Sequence, residues 1–406
     1  MRKKKILIAS FDLEVGGIER SLLGLLENFD YAKYDVDLML YSHTGDFMKF
    51  LPDNGYRLLP ENPKYATFRK GIATVAKSGY PLLAFKRLRA RLYADKMLKN
   101  GVPEGKTPEF CQAQKCWDYT IDSMPKLDGE YDVAISFMWP HHFVAKKVKA
   151  KKKFAWIHSD YTKAFYDAPA DEKIWQVFDK IVGVSDDVGK KLCEVFPSLE
   201  PKTTFVENLL SQEFVRAQAR ENIDTGDMTV EDGEISLVSV GRLTHQKAFD
   251  VAIEVLKKML DDGYKVKWFV IGYGSDEEML RNKAKEFGVE DKFVLLGKKL
   301  NVYPYVDKAD LYAQPSRYEG KAVTIREAQM LGKACVVTNF PTAGSQVEDG
   351  VDAVLCGMSV DDIAKAIENM IDDSELRKRI EATAYSRDYG NLDEINKLYA
   401  LIEEEI

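Results

Sequence analysis

Cysteine is scarce in this sequence and nothing about its placement suggests pairing. Five cysteines among 406 residues, an odd number with no C-x-x-C spacing, exclude a disulfide framework and a thiolate zinc site, and a reducing cytoplasm fits best. Long hydrophobic runs are missing as well. No window reaches the roughly 18 to 20 uninterrupted apolar residues of a membrane span. The apolar run Ile6 to Ala9, behind the basic start Arg2-Lys3-Lys4-Lys5, is too short for a signal-peptide core. Membrane contact is therefore expected to be peripheral only. No G-x-G-x-x-G fingerprint follows that first apolar run, which weighs against a nicotinamide-dependent oxidoreductase. A net charge of −7 argues against nucleic acid as the main ligand. His141-His142 and Cys111/Cys116 have no complementary ligands at metal spacing and read as structural or exposed. Asp186-Asp187 reads as a helix start. Neither a metal nor another cofactor is expected.

What remains is an ordinary globular composition, 45% hydrophobic and 30% charged, in a chain longer than one core usually serves. Two domains are expected. Charge is split between them, +6 up to Phe205 and −13 beyond it. An apolar strand at Ile6–Ala9, a loop at Gly16-Gly17, a helix carrying Ile18, Leu22, Leu25, Leu26 and Phe29 on one face, and a strand at Val36–Tyr41 make a β-loop-α-β unit of a parallel, doubly wound sheet. Strand-like runs continue at Asp132–Phe137, Phe154–Ile157 and Ile181–Val184. The pattern restarts at Ile235–Val240 and alternates strands at Val266–Ile271, Phe293–Leu296, Leu311–Gln314 and Ala334–Thr338 with helices that include Glu277–Phe287 and Thr324–Leu331. Ser359 and Asp362 resemble a capping box. The fold class is α/β with two Rossmann-like domains facing a cleft, 1–207 and 208–388, and a final helix, about 389–406, that packs back onto the first.

Between the early strands, Lys64 to Lys99 holds ten Lys or Arg and a single acid, Asp95. Leu82, Phe85, Leu88 and Leu92 share one half of a helical wheel with Arg87 and Arg91 opposite, while Arg89 falls inside the apolar arc. Two readings stay open: docking on anionic lipid headgroups, or a solvated basic helix packed by its leucines. A second run, Lys146, Lys147, Lys149, Lys151, Lys152 and Lys153, adds positive charge to the same domain.

The chemistry concentrates in Ser316 to Ala328. Gly320 interrupts helical propensity just after Glu319, so Glu319 belongs on a loop and Glu327 inside the helix that follows. Between them, the backbone of Gly320, Lys321, Ala322 and Val323 leads into a helix N-terminus, which favours an anion such as phosphate. The carboxylates suit hydroxyl donors. A phosphorylated polyol such as a nucleotide sugar meets both demands. Arg242 and Lys247 flank the loop after the first strand of the second domain, where paired cations can match a diphosphate leaving group without a metal.

Gly16-Gly17-Ile18-Glu19, Gly241-Arg242 with Lys247, and Glu319 to Glu327 spaced E-x7-E resemble glycosyltransferase family 4, retaining enzymes of GT-B fold, in their order and spacing. Asn208 falls where that family turns between its domains. The resemblance implies that Arg242 and Lys247 hold the donor diphosphate, Glu327 the ribose hydroxyls and Glu319 the donor sugar. It implies that His158, in Trp156-Ile157-His158-Ser159-Asp160, reaches the transferred sugar. Gly16 and Gly17 let the backbone approach phosphates and acceptor, and the backbone near Gly272, Tyr273 and Lys298 meets the base. Three departures stand out: Lys321-Ala322 replaces an aromatic and a glycine, Leu209 replaces a turn proline or glycine, and Thr342 to Ser345 replace a glycine pair. The implied activity is transfer of a hexose from a nucleoside diphosphate sugar, UDP-sugar foremost, to a hydroxyl of a lipid-linked, cell-surface glycan precursor, at the inner face of the plasma membrane. The alternative is a catalytically inactive, glycosyltransferase-like binding subunit.

Overall fold

A computed structural model describes residues 2–404 except 104, 105 and 107. The chain divides into two compact units, Met1–Leu209 with Leu392–Ile406, and Leu210–Asn391. Residues 405 and 406, the tip of the expected final helix, lie outside the described residues.

The first unit is built on seven parallel strands: β1 (Lys4–Ser10), β2 (Tyr34–Leu40), β3 (Arg57–Leu58), β4 (Glu130–Ser136), β5 (Lys149–Ile157), β6 (Lys180–Gly183) and β7 (Thr203–Phe205). Their order is β3-β2-β1-β4-β5-β6-β7. Ile6 to Ala9 are wholly buried, as a parallel strand covered on both faces requires. Ile6 pairs with Val36 on one side and Val133 on the other. Leu22, Leu25 and Leu26 seat the helix Gly17–Glu27 on this sheet.

The edges of the units differ from expectation by a few residues. Asn208 and Leu209 belong to the first unit, because Ser21 Oγ donates to Asn208 Oδ1 at 2.5 Å and Gly24 leaves room for the Leu209 carbonyl. The final helix spans only Ile395–Glu403, since Asn391 is tied to Leu210 through its own N–H and through its side-chain oxygen. It buries Leu398 and Ile402, stacks Tyr399 on Tyr34 at 5.3 Å, and takes a bond from Lys4 Nζ at the Ile402 carbonyl.

The basic insertion folds as helices Ile72–Lys77 and Pro81–Lys99, the second packed against the helix Glu109–Thr120. Arg87 corrects the expected placement of its charge. It is 4% exposed, donates to the Thr67 and Lys70 carbonyls and to Thr67 Oγ1, and lies over the Phe68 ring. The reading in which the leucines pack the helix is corrected too, for it is the leucines that face solvent. Much of the second lysine run goes into holding the fold. Lys151 pairs with Asp132 at 2.7 Å, Lys153 Nζ donates to the Ala145 carbonyl, and Lys152 reaches the final helix at the Leu401 carbonyl. His141 and His142 are buried, held by Ser136 and Asp118 respectively. Ser185 caps a helix that begins at Asp186.

The second unit has six parallel strands: β8 (Ile235–Val240), β9 (Val266–Ile271), β10 (Phe293–Gly297), β11 (Leu311–Gln314), β12 (Ala334–Thr338) and β13 (Val354–Cys356). They run in the order β10-β9-β8-β11-β12-β13. Helices Phe249–Asp261 and Val360–Asp372 bury their apolar stripes in one layer of its core. Ser359 caps the latter, its Oγ accepting from the Asp362 N–H at 3.1 Å. The helix Val323–Met330 packs in the opposite layer.

Candidate functional site

Strand order marks the candidate site of the second unit. β8 and β11 are neighbours, yet the chain leaves them in opposite directions, toward β9 and toward β12. Loops at such a reversal diverge beyond the strand ends and leave a crevice where ligands of doubly wound sheets bind. The two loops here are 241–248 and 315–322.

They are joined by a buried ion pair. Lys247 Nζ lies 2.6 Å from Glu319 Oε1, and Glu319 is only 8% exposed. Gly241 makes this reach feasible, since a Cβ there would come within 2.9 Å of Lys247 Cε. Ser316 Oγ donates to the same carboxylate oxygen at 2.6 Å, and Gln246 Nε2 donates to the other at 3.0 Å. Thr342, one of the departures noted in the sequence, donates to the Glu319 carbonyl at 2.9 Å. The Arg317 guanidinium pairs with Asp250 through two bonds of 2.8 and 2.6 Å and donates to the His245 carbonyl. Ala248, at φ 54°, closes the loop in the left-handed region, a conformation unfavourable for a residue with a Cβ. A buried carboxylate needs such a full set of partners, and this one is held in place by them. Arg242 stands outside the network, exposed, with its guanidinium in no ion pair among the described residues.

Glu319 lies on the loop and Glu327 within the helix Val323–Met330. Glu327 is buried, and Tyr303 donates its hydroxyl to Oε1 at 2.7 Å. The N-cap residue of this helix, Ala322, has no side chain able to cap it. Gly320, Lys321 and Val323 are partly exposed around it. Ala322 is different. Its N–H and carbonyl both bond the Gln346 amide, and its methyl is buried, so it shapes the loop instead of offering a donor contact.

At the ends of β9 and β10, Lys298 Nζ sits 5.6 Å from the centre of the exposed Tyr273 ring. Gly272, at φ 155°, and Gly274 allow close passage of the neighbouring loop: a Cβ at either would overlap the carbonyl of Gly241 or of Leu243. Their absent side chains thus answer first to loop packing.

In the first unit, Gly16 precedes the helix Gly17–Glu27 in extended conformation. The Glu19 carboxylate folds into the place a Gly16 Cβ would occupy, whereas open space surrounds that of Gly17. His158 follows β5. Its Nε2 lies 2.8 Å from the Phe137 carbonyl, and a carbonyl can only accept, so the proton is on Nε2 and the Nδ1 lone pair is an acceptor. Burial pushes the imidazole down to about 4, which keeps it neutral at pH 7. No group of three or more His, Cys, Asp or Glu among the described residues could hold a metal ion.

The crevice residues all fall within a segment, residues 224–387, that matches the model of "Glycosyl transferases group 1". That segment is similar to group 1 glycosyl transferases. An uncharacterised glycosyltransferase of Haemophilus influenzae is 29% identical over 163 residues, 38% of this chain and 45% of that protein. The N-acetylgalactosamine-N,N'-diacetylbacillosaminyl-diphospho-undecaprenol 4-alpha-N-acetylgalactosaminyltransferase of Campylobacter jejuni is 27% identical over 47% of this chain and 50% of its own length. The chain thus spans about half the length of these two relatives. The crystal structure of Anabaena Alr3699/HepE in complex with UDP and glucose superposes with a TM-score of 0.66 at 14% identity, covering 98% of each chain. The fold is GT-B, with two Rossmann-like units, Met1–Leu209 with Leu392–Ile406 and Leu210–Asn391.

Arg242, Lys247, Gly272, Lys298, Glu319 and Glu327 lie inside the matched segment, while Gly16, Gly17 and His158 lie outside it. Sequence reading missed Gln246, Ser316 and Tyr303 as partners of the two glutamates. The first two stood inside the singled-out loops as polar residues beside Lys247 and Glu319. For Tyr303 no signal exists, because a helix start 24 positions upstream reaches Glu327 only through the fold.

Proposed function

We propose that this chain is a retaining glycosyltransferase that moves a hexose from a nucleoside diphosphate sugar, a UDP-sugar foremost, to a hydroxyl of a cell-surface glycan precursor on a lipid carrier. The observation that carries the proposal is the Lys247–Glu319 pair at the β8/β11 reversal: a cation and a hydroxyl-binding carboxylate fixed side by side, ahead of a helix N-terminus whose N-cap residue, Ala322, has no capping side chain. The UDP held by HepE and the diphospho-undecaprenol in the Campylobacter enzyme's name support the choice of donor and acceptor.

In this reading the bond from the anomeric carbon to the diphosphate oxygen breaks as the acceptor oxygen bonds to the same face of that carbon. The acceptor proton passes to the departing phosphate. Arg242, Lys247 and the first turn of Val323–Met330 match the growing negative charge. Glu327, oriented by Tyr303, binds the ribose hydroxyls, and Glu319 the sugar. Lys321 adds a cation where the family has an aromatic residue, which makes it the residue to examine for donor choice. His158, neutral with Nδ1 as an acceptor, takes a sugar hydroxyl. The work is done at the inner face of the plasma membrane, with the basic region 64–99 against anionic lipid.

Turnover of a panel of nucleotide sugars, including slow hydrolysis in the absence of acceptor, tests the proposal. Arg242→Ala is the cleaner variant because this side chain supports no ion pair. It is expected to lose about 10²- to 10³-fold in rate with unchanged unfolding, and Glu327→Gln is expected to lose donor affinity. Wild-type protein that binds nucleotide sugars but never hydrolyses or transfers them would favour the inactive binding subunit instead.

A further inference from the structure

The helix Pro81–Lys99 is inside out for a protein in water. At 100° per residue, Leu83, Ala84, Arg87, Ala90 and Ala94 share the arc that faces the protein and are buried. The opposite arc carries Leu82, Phe85, Leu88 and Leu92, which are 63%, 56%, 44% and 61% exposed. Arg87 accounts for the orientation: its guanidinium satisfies the carbonyls of Thr67 and Lys70 beneath the helix, and the small residues around it allow close packing. Leu83 is buried on the inward arc and Met97 and Leu98 are partly buried near its C-terminal end, whereas Leu82, Phe85, Leu88 and Leu92 face outward. An exposed apolar stripe of this kind marks an interaction surface.

The charges on the same arc identify the occupant. Arg89, Lys96 and Lys99 are exposed on it or at its margin, while the one acid of the segment, Asp95, is paired with Arg91. A second copy of the chain meeting this stripe across a two-fold axis would bring one positively charged face against another. Anionic lipid offers phosphates to the cations and acyl chain to the leucines at once. No helix among the described residues is long and apolar enough to cross a membrane.

We infer that the outer arc of Pro81–Lys99 is an insertion face for an anionic bilayer, with Leu82, Phe85, Leu88 and Leu92 below the headgroups and Arg89 and Lys96 on the phosphates. The inference rests on the membrane contact proposed above and specifies its residues and its nature: burial of apolar surface strengthened by charge, rather than charge alone. Arg87 has no part in the contact.

Sedimentation with vesicles of phosphatidylcholine, with and without phosphatidylglycerol, tests it in the full chain at low and high salt. Wild type is expected to bind the anionic vesicles. The triple variant Leu82→Ser, Phe85→Ser, Leu92→Ser is expected to lose about tenfold or more of that binding at both salt concentrations. Arg89→Gln with Lys96→Gln is expected to lose about fivefold per cation at low salt and far less at high salt. All three side chains of the triple variant are exposed, so its unfolding midpoint and its hydrolysis of a nucleotide sugar stay at wild-type values. Equal binding by wild type and triple variant, binding that ignores phosphatidylglycerol, or no vesicle binding by wild type overturns the inference. So does a wild-type dimer that the triple variant converts to monomer without any vesicle binding. Vesicle binding without donor hydrolysis sinks the catalytic reading and leaves this one standing.

Discussion

Glu319 and Lys247 were each legible as candidates for a chemical role, but the bond between them was not. Sequence spacing fixes what lies on a loop and what lies on the next helix. Contact between residues 72 positions apart depends on β8 and β11 being neighbours. On the function proposed above, Lys247 serves two ends, holding a buried carboxylate and meeting a diphosphate. Lys247→Ala leaves Glu319 buried without its cation, and about 3 kcal/mol of stability should go with it. Glu319→Gln added to Lys247→Ala removes the uncompensated charge, so the double variant is expected to regain most of that stability while turnover stays lost. Denaturant unfolding of the two single variants and the double measures the coupling. Additive losses would mean that the pair does not organise the loops. His158 illustrates the other limit. Its strand-end position was readable, but its tautomer is set by the Phe137 carbonyl, which no pattern reveals.

At the scale of elements, the long apolar strands and amphipathic helices were readable because burial on two faces or on one stripe writes itself into spacing. β3, with two residues, and β7 and β13, with three each, are too short to show a period. The insertion helix is the instructive case. Its wheel showed two faces, yet periodicity cannot say which one meets the protein, and a single arginine with three acceptors reversed the usual choice. Glycines carry a similar ambiguity. Gly272 was read as a place for ligand backbone approach, and the structure gives it a packing duty against the β8 loop. Gly272→Ala should therefore cost about 2 kcal/mol or more, from a positive φ and an overlap with the Gly241 carbonyl. It should weaken nucleotide-sugar binding at the same time by shifting Arg242 and Lys247. A fully stable variant in thermal unfolding would contradict the loop geometry.

Over the whole molecule, two repeats of one pattern were enough to predict two α/β units. The exact edges came from particular bonds, Ser21 to Asn208 and Leu210 to Asn391. The basic residues gather in the unit with the exposed apolar helix. The acidic excess belongs to the unit that holds the segment similar to group 1 glycosyl transferases, where the proposed function sets a few cations locally against an anion. The most direct test of that assignment is amide hydrogen exchange of the full chain with and without UDP. Protection of residues 241–248 and 316–325 is the predicted result, the two loops of the β8/β11 reversal and the first turn of the helix after them. Unchanged exchange in both loops at saturating UDP, or protection only elsewhere, would contradict it.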